Sequence, residues 1–485
     1  MEALDWLVIG VFFLALIGII VWVVRQKQND SADYFLGGRD ATWLAIGASI
    51  FASNIGSEHL IGLAGAGASS GMAMAHWEIQ GWMILILGWV FVPFYTRSMV
   101  YTMPEFLERR YNPQSRTILS VISLVSYVLT KVAVTVYAGG LVFQQVFGIK
   151  ELWGIDFFWI AAIGLVVLTA LYTIFGGMKS VLYTSVLQTP ILLLGSLIIL
   201  VLGFKELGGW DEMMRVCGAV TVNDYGDTMT NLIRSNDDAN FPWLGALIGS
   251  AIIGFWYWCT DQFIVQRVLS GKNEMEARRG TIFGAYLKLL PVFLFLIPGM
   301  IAFALHQKYI GAGGEGFLPM LENGTANADA AFPTLVAKLL PAGVKGLVVC
   351  GILAALMSSL ASLFNSSAML FTIDFYKRFR PQTSEKKLVG IGQVATVVIV
   401  ILGILWIPIM RSVGDVLYTY LQDVQSVLAP GIAAAFLLGI CWKRTSAQGG
   451  MWGLISGMVI GLTRLGAKVY YSNAGEVADS TFKYL

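Results

Sequence analysis

Charged and amide side chains interrupt segments of this chain that are otherwise apolar enough to enter a membrane. Asn54, Glu58 and His59 stand in the middle of one such segment, Glu78 in another and Lys288 in a third. A charge at the centre of a membrane helix costs roughly 2.5–3.5 kcal/mol, so these groups usually face a cavity or a partner. Together they suit a polyhydroxylated solute, because each hydroxyl donates once and accepts twice. The alternative for Glu78 and Lys288 is a structural ion pair.

Serine hydroxyls form a second polar group in the apolar stretch GILAALMSSLASLFNSSAML. Hydroxyl and carbonyl oxygens without a nearby acid suit a hard cation that binds reversibly, such as sodium. For any one serine, the alternative is a hydrogen bond back to its own helix or to a neighbour. The serines in question are Ser358, Ser359, Ser362, Ser366 and Ser367.

The segment GASIFASNIGSEHLIGLAGAG, residues 47–67, is predicted to be a discontinuous helix. Its glycines permit the backbone to unwind, and an unwound turn in lipid is tolerated only where its freed carbonyls meet protein, water or an ion. Many secondary transporters build a mid-membrane site in this way. Close packing of small residues alone is the competing interpretation. The glycines are Gly47, Gly56, Gly62, Gly65 and Gly67.

Aromatic residues in GSAIIGFWYWCTDQFIVQRVL offer flat faces for a pyranose ring, although such residues more often face lipid or form an interface belt. The three are Trp256, Tyr257 and Trp258. Gly249 and Gly254 allow a second break in this segment. The polar residues that follow are expected to form structural pairs, and they are Asp261, Gln262 and Arg267.

Composition places the chain among polytopic helical membrane proteins. Of its 485 residues, 56% are hydrophobic and only 13% charged, against roughly 25% charged in soluble domains. The net charge of +2 indicates no nucleic-acid partner. Four dispersed cysteines and three separate histidines indicate neither a disulfide framework nor a soft-metal cluster. No nucleophile, base and oxyanion set or phosphate-binding loop is evident, so an enzyme is disfavoured.

Twelve segments are predicted to cross the bilayer, at about 20 apolar residues each. Lys and Arg gather in the loops after the odd-numbered segments, which predicts that these loops are cytoplasmic and the N-terminus outside, in a plasma (inner) membrane. The polar end of the chain suggests that a further helix follows in the full-length protein. The predicted spans lie near 5–25, 43–66, 76–98, 116–147, 156–173, 183–204, 243–264, 280–305, 343–372, 388–409, 416–438 and 447–470.

Five strings along the chain together resemble the sodium/glucose cotransporter branch of the solute:sodium symporters. They are ASNIGSEHLIGLAG, WYWCTDQFIVQR, YLKLLP, ALMSSLASLFNSS and AAAFLLGICWKR, within a likeness that runs from about Asp33 to Leu462. The resemblance implies an all-α LeuT-type fold, with two inverted five-helix repeats and flanking helices. The implied parts are an N-terminal extra helix and linker (1–41), a first repeat (42–205), an extracellular loop (206–242), a second repeat (243–440) and a C-terminal helix with a polar tail (441–485).

The resemblance also implies roles for particular residues. A sodium site would use the carbonyls of Ala52, Ile55 and Ala355 and the hydroxyls of Ser358 and Ser359. A sugar site would use Asn54, His59, Glu78, Tyr257, Trp258, Lys288 and Gln422. Tyr257 would be the inner gate, stacked under the sugar and supported by Trp258, and the outer hydrophobic gate would be Leu63, Trp77 and Tyr418.

Four positions depart from the family pattern. Gly254 and Thr419 stand where the family has a polar residue and an aspartate, so hydroxyl contacts there are in doubt. Ser185 occupies a position where the family usually has an aspartate, and Ala361 occupies one where the family has a threonine. A second sodium site would therefore have few ligands. The implied function is symport of one sodium with one hexose, glucose or galactose. Rivals are a symporter for another solute, such as myo-inositol, sialic acid or proline, and a sugar-gated sensor or ion channel.

Overall fold

The computed structural model describes all residues except 27, 29, 57, 239, 322, 323, 414–416 and 474–485, and it does not describe the side chains of 129, 130, 145, 409–413, 417–424 and 468–473. Helices of the first half are Ala3–Val24, Ser31–Leu36, Gly37–Arg39, Trp43–Asn54, Glu58–Leu63, Ala64–Ser70, Gly71–Ala75, His76–Ile79, Gln80–Trp82, Met83–Ile86, Leu87–Phe91, Val92–Ser98, Met103–Arg110, Pro113–Ser126, Tyr127–Val132, Ala133–Phe147, Phe157–Leu207 and Trp210–Gly218.

Helices of the second half are Trp243–Gly254, Phe255–Thr260, Gln262–Leu269, Glu274–Leu287, Val292–Leu296, Ile297–Gly311, Ala328–Ala330, Ala331–Leu339, Val344–Met369, Leu370–Tyr376, Lys377–Phe379, Glu385–Val413, Leu417–Cys441 and Ala447–Asn473. Many of these segments follow one another without a break and form longer helices. Two short strands, Glu151–Leu152 and Ile155–Asp156, pair antiparallel in one loop.

Helical segments overlap all twelve predicted spans. Within the described residues, seven continuous stretches are long and apolar enough to cross a membrane: Ala3–Val24, Glu58–Ser98, Phe157–Leu207, Trp243–Thr260, Glu274–Gly311, Val344–Phe379 and Glu385–Pro408. The spans predicted at 156–173 and 183–204 form one stretch that kinks at Gly177, where φ is 51° and ψ −148°. Glycine is needed there because a side chain would strike the carbonyl of Tyr34.

The break predicted in the second span is present. The helix Trp43–Asn54 ends at Ile55, whose φ of −79° and ψ of 100° are extended, and helix resumes at Glu58. We call Trp43–Asn54 the inner half-helix and Glu58–Ser70, which comprises Glu58–Leu63 and Ala64–Ser70, the outer half-helix. Because the ladder of backbone hydrogen bonds stops at Ile55, carbonyls of the last inner turn lack helical partners.

A second break lies in the seventh span, but its position differs from the one expected. Gly254 is helical, with φ of −61° and ψ of −40°, and the chain becomes extended only at Asp261. The Asp261 carboxylate accepts a hydrogen bond from the Phe263 N–H at 3.1 Å, which caps the next helix. A capping side chain, and not a permissive glycine, therefore sets this break. We call Phe255–Thr260 the gate turn and Gln262–Leu269 the second inner half-helix.

The helix Val344–Met369, which we call the central helix, lies at the centre of the fold. It packs along Phe157–Leu207 and against the inner half-helix, and most of its residues are buried. The N-terminal helix Ala3–Val24 lies outside this core and exposes large apolar side chains. Its buried Asp5 accepts hydrogen bonds from the N–H groups of Gly343 and Gly346 at 2.7 and 2.8 Å, which fixes it to the start of the central helix.

Candidate functional site

Glu78, His59 and Lys288 meet in the interior, although they come from three separate segments. The Lys288 ammonium lies 2.5 Å from Glu78 Oε2 and 2.9 Å from His59 Nε2. His59 Nε2 is 3.2 Å from Glu78 Oε1. None of the three is more than 3% exposed. Gly81 lies against the Lys288 stem and leaves no room for a side chain, which lets the lysine reach this position.

Asn54 and the gate turn form the other side of the same site. Asn54, the last residue of the inner half-helix, donates from Nδ2 to the Tyr257 hydroxyl at 3.0 Å. The Tyr257 and Trp258 rings meet edge to face, with centroids 4.8 Å apart. The Lys288 ammonium lies 5.6 Å from the Trp258 ring centre, within the range of a cation–π contact. These contacts connect the first break to the gate turn and to the charged group.

A cavity of about 60 Å³ lies between these side chains. Ligand sites commonly measure about 300–1,000 Å³, so this cavity is smaller than a typical ligand site. Of the predicted site residues, Asn54, His59, Trp77, Glu78, Tyr257, Trp258, Lys288 and Ser359 line the cavity. Ser359 belongs to the proposed sodium set, so the proposed sodium and solute sites adjoin.

Some lining residues were missed by sequence analysis. Lys131 lies in YVLTKVAVTVY, inside the fourth span, so the rule that selected Glu78 and Lys288 also selects it. Glu58 is an intramembrane carboxylate to which the resemblance assigns no role. Gln80 and Gln425 are amides inside predicted spans, so the signal that selected Asn54 is present at them as well. For Thr135, Phe263 and Leu363 the sequence carries no comparable signal. The additional lining residues are Glu58, Gln80, Lys131, Thr135, Phe263, Leu363 and Gln425.

The proposed sodium ligands lie on two helices that contact each other. Ser53 of the inner half-helix and Ser362 of the central helix form a hydroxyl–hydroxyl hydrogen bond of 2.7 Å. Ser358 and Ser359 lie one turn earlier on the central helix and are at most 2% exposed. Ala355 precedes them by three and four residues, on the same helix face. Ala52 and Ile55 end the inner half-helix at its break.

The serines of the central helix divide into two groups. Ser362 donates to the Ser358 carbonyl of its own helix at 2.7 Å, and Ser366 donates to the Gln266 side chain of the second inner half-helix at 2.8 Å, so both hydroxyls donate hydrogen bonds to protein acceptors. The Ser358 hydroxyl lies 3.3 Å from the hydroxyl of Ser185. Ser185 therefore stands beside the proposed sodium ligands with a neutral side chain.

The predicted residues that remain lie on the outer half-helix and on the helix Leu417–Cys441. Leu63 is fully buried in the outer half-helix. Tyr418, Thr419 and Gln422 belong to the helix Leu417–Cys441, but their side chains lie outside the described part of the chain.

The polar residues after the gate turn bind polar groups of neighbouring segments. Asp261 pairs with Lys131 at 2.7 Å. Gln262 accepts from the Met103 N–H at 2.7 Å. Arg267 Nε reaches the hydroxyls of two serines of the inner half-helix, Ser49 at 3.2 Å and Ser53 at 3.1 Å. These bonds tie the second inner half-helix to its neighbours.

Comparison with known proteins agrees with this geometry. Human sodium/myo-inositol cotransporter 2 is 38% identical over 479 residues, which cover 96% of this chain and 70% of that protein. Zebrafish sodium/glucose cotransporter 4 is 38% identical over 482 residues, with 96% and 72% covered. A substrate-bound, outward-open sodium-coupled sialic acid symporter superposes with a TM-score of 0.78 at 21% identity, over 95% of this chain and 96% of that one.

A second solved structure, MhsT in complex with L-phenylalanine, superposes with a TM-score of 0.53 at 12% identity, over 90% of this chain and 99% of that one. These likenesses show a LeuT-type fold, as the family resemblance of the sequence implied. The sodium:solute symporter family model matches residues 34–457, so the protein is a multi-pass, sodium-coupled solute transporter and not an enzyme. The chain belongs to the sodium:solute symporter family.

Proposed function

We propose that this symporter moves one hexose, glucose or galactose, together with one sodium ion. The observation that supports a neutral polyol is the compensated set of Glu78, His59 and Lys288 around one cavity. It offers both donors and acceptors, with its carboxylate paired to an ammonium. A carboxylate or amino-acid solute would require an unpaired charge. Asn54 adds an amide, and the ring of Tyr257 offers an apolar face to the sugar.

Myo-inositol is the second candidate, and the comparison with known proteins supports it as well as it supports a hexose. A relative named as a sodium/myo-inositol cotransporter and one named as a sodium/glucose cotransporter are equally similar to this chain, at 38% identity. Both solutes are six-membered rings covered with hydroxyls, so the site described above suits either. A hexose differs by its ring oxygen and its hydroxymethyl group.

In the proposed mechanism, sodium binds between the carbonyls of Ala52 and Ile55 and the hydroxyls of Ser358 and Ser359, joining the inner half-helix to the central helix. This holds Asn54 at the end of that half-helix in place for the solute. Ion and solute then raise each other's affinity by the same factor, as linkage requires. Alternating access follows when the gate turn and the outer residues Leu63 and Trp77 open in turn.

One sodium ion supplies enough free energy for concentrative uptake. A potential of about 100 mV contributes roughly 2.3 kcal/mol per charge, and a tenfold sodium gradient contributes roughly 1.4 kcal/mol more. The sum supports accumulation on the order of several hundredfold. The neutral Ser185 and Ala361 supply little for a second ion, which is why we propose a 1:1 ratio.

We also propose a plasma (inner) membrane location with the N-terminus outside. Loops that follow odd-numbered spans contact one another: Arg39 donates to the Val100 carbonyl at 2.9 Å, and Ser31 donates to Glu385 at 2.5 Å. These loops therefore share one face, and their excess of basic residues favours the cytoplasmic side. The division into repeats at 42–205 and 243–440 remains our proposal.

Uptake by purified protein in proteoliposomes tests the function. With a sodium gradient and an inside-negative potential, labelled glucose or galactose should accumulate, and replacing sodium with choline should abolish the uptake. Myo-inositol, sialic acid and proline form the comparison panel. Preference for myo-inositol would replace the hexose proposal with its rival. Sodium flux that the sugar stimulates without accumulation of any sugar would indicate a sugar-gated channel.

A further inference from the structure

We propose that Lys131 is a positioning residue that holds the inner gate Tyr257 closed, so that its ammonium prevents sodium from passing without solute. The proposal rests on the proposed function in that it takes Tyr257 as the inner gate. Tyr257 lies in the seventh predicted span, and the proposal adds Lys131, a residue of the fourth predicted span, to the inner gate.

The Lys131 ammonium lies in a cage of aromatic rings. Its nitrogen is 4.7 Å from the ring centre of Tyr257 and 4.9 Å from that of Phe263. It is 5.0 Å from the ring centre of Tyr127 and 5.5 Å from that of Trp256. The side chain is 10% exposed, so the cation is largely desolvated, and a desolvated cation binds aromatic faces more strongly than an exposed one.

Asp261 completes the cage at the second break. Its Oδ2 lies 2.7 Å from the Lys131 ammonium, and its Oδ1 accepts hydrogen bonds from the Tyr127 hydroxyl and the Phe263 N–H. Asp261 is the extended residue that separates the gate turn from the second inner half-helix. The carboxylate that fixes the break therefore also holds the lysine.

The cage joins the two sides of that break. Tyr257 and Trp256 belong to the gate turn, whereas Phe263 belongs to the second inner half-helix. The ammonium contacts rings on both sides, so a tilt of either side relative to the other separates rings from the cation. Lys131 also lines the solute cavity. A solute that reorients Tyr257 therefore acts directly on the cage, which links gate opening to an occupied site.

A purely structural ion pair is the alternative, and it makes a different prediction. The pair alone requires a charge opposite Asp261 but no rings. The cage requires both, because each cation–π contact changes the ratio of closed to open gate by roughly two- to thirtyfold. Loss of the cage removes four such contacts, so it should raise the sodium leak in the absence of sugar by about twofold at the least. A structural defect would instead lower the amount of folded protein.

The central variant is the double substitution Lys131→Met and Asp261→Asn, which removes both charges and leaves no lone buried ion. In proteoliposomes without sugar, radiolabelled sodium uptake should rise about twofold at the least, with the melting temperature close to that of the unchanged protein. Lys131→Arg keeps a cation that stacks on rings and pairs with Asp261, so it should retain a low leak. Wild-type leak in the double variant, or equal leak in Lys131→Arg and the double variant, would overturn the proposal.

Two further variants keep the test decisive. Phe263→Leu removes one ring and leaves the ion pair intact, so it should raise the leak less than the double variant does. An unchanged leak with Phe263→Leu contradicts the cage even if the double variant does not fold. Lys338→Met is the matched control, because it removes a lysine 4.8 Å from the Phe317 ring on the predicted extracellular side and should not alter the leak. Since the leak is measured without solute, it does not depend on which solute the protein carries.

Discussion

Variants that remove the charges of Glu78 and Lys288 distinguish a role of this pair in solute binding from a role in stabilising the folded protein. The two side chains lie 2.5 Å apart and are each 2% exposed. When one partner of such a buried pair is lost, the other remains as an uncompensated charge, which typically costs about 3–5 kcal/mol. Lys288→Met and Glu78→Gln should therefore each destabilise the protein strongly. A simple Lys288→Ala substitution cannot test solute binding, because it combines both effects.

The double variant Lys288→Met with Glu78→Gln removes both charges and so avoids the lone buried ion. Its stability should return to within about 1–2 kcal/mol of the unchanged protein, because neutral groups of similar volume replace a buried pair at little net cost. Uptake should nevertheless remain lost. A hydrogen bond to a charged group contributes about 1.5–3 kcal/mol, so losing two of them lowers solute affinity about a hundredfold or more.

Thermal unfolding in detergent and sodium-driven uptake in proteoliposomes measure the two effects separately. A matched control is the double variant Arg234→Met with Asp238→Asn, which removes a similarly buried pair from the loop predicted to be extracellular. That control should keep the solute affinity of the unchanged protein. If the Lys288 and Glu78 double variant transported with ordinary affinity, the pair would be structural support and the proposed solute site would be wrong.

Three further predictions follow from single features. Tyr257→Phe should keep much more uptake than Tyr257→Ala, because it loses one hydrogen bond and keeps the ring; equal uptake would show that the ring face is not used. Reversal potentials at varied sodium and sugar gradients should give a 1:1 ratio, since Ser185 and Ala361 are neutral and small; a ratio of two would contradict it. Burial raises the pKa of Asp329 from 3.8 to about 6, so its stabilising effect is full below about pH 4 and is lost as the pH rises through about 6. Asp329→Asn should therefore raise the melting temperature more at pH 7.5 than at pH 5, and an unchanged difference would show that this carboxylate does not titrate there.

The parts of the fold that follow from composition were predictable from the sequence. Apolar length selected segments that all overlap helices of the structure, and glycines on both sides of Ile55 indicated the first break. The predicted position of the second break is wrong, because Gly254 permits a break but does not require one. Asp261 makes the break by capping the next helix, and this depends on a local backbone geometry that residue type alone does not reveal.

The candidate site, like the fold, was only partly predictable from the sequence. An ionisable residue inside an apolar segment is a signal that one sequence carries, and it selected Glu78 and Lys288. The same signal is present at Lys131. Spacing could not show that residues 210 positions apart lie 2.5 Å from each other. That pairing depends on the packing of separate spans.

The two breaks are joined by one hydrogen bond, which suggests how ion and solute are coupled. Asn54 is the last residue before the first break, and its amide holds the Tyr257 hydroxyl, four residues before the second break at Asp261. In the proposed mechanism, sodium on the Ile55 carbonyl orders Asn54, and Asn54 in turn fixes the tyrosine that Lys131 holds from the other side. A solute that displaces Tyr257 must then weaken both contacts. The contacts of Tyr257 with Asn54 and Lys131 therefore stabilise the closed gate. The free energy needed to break these contacts has to come from the binding of solute and ion together.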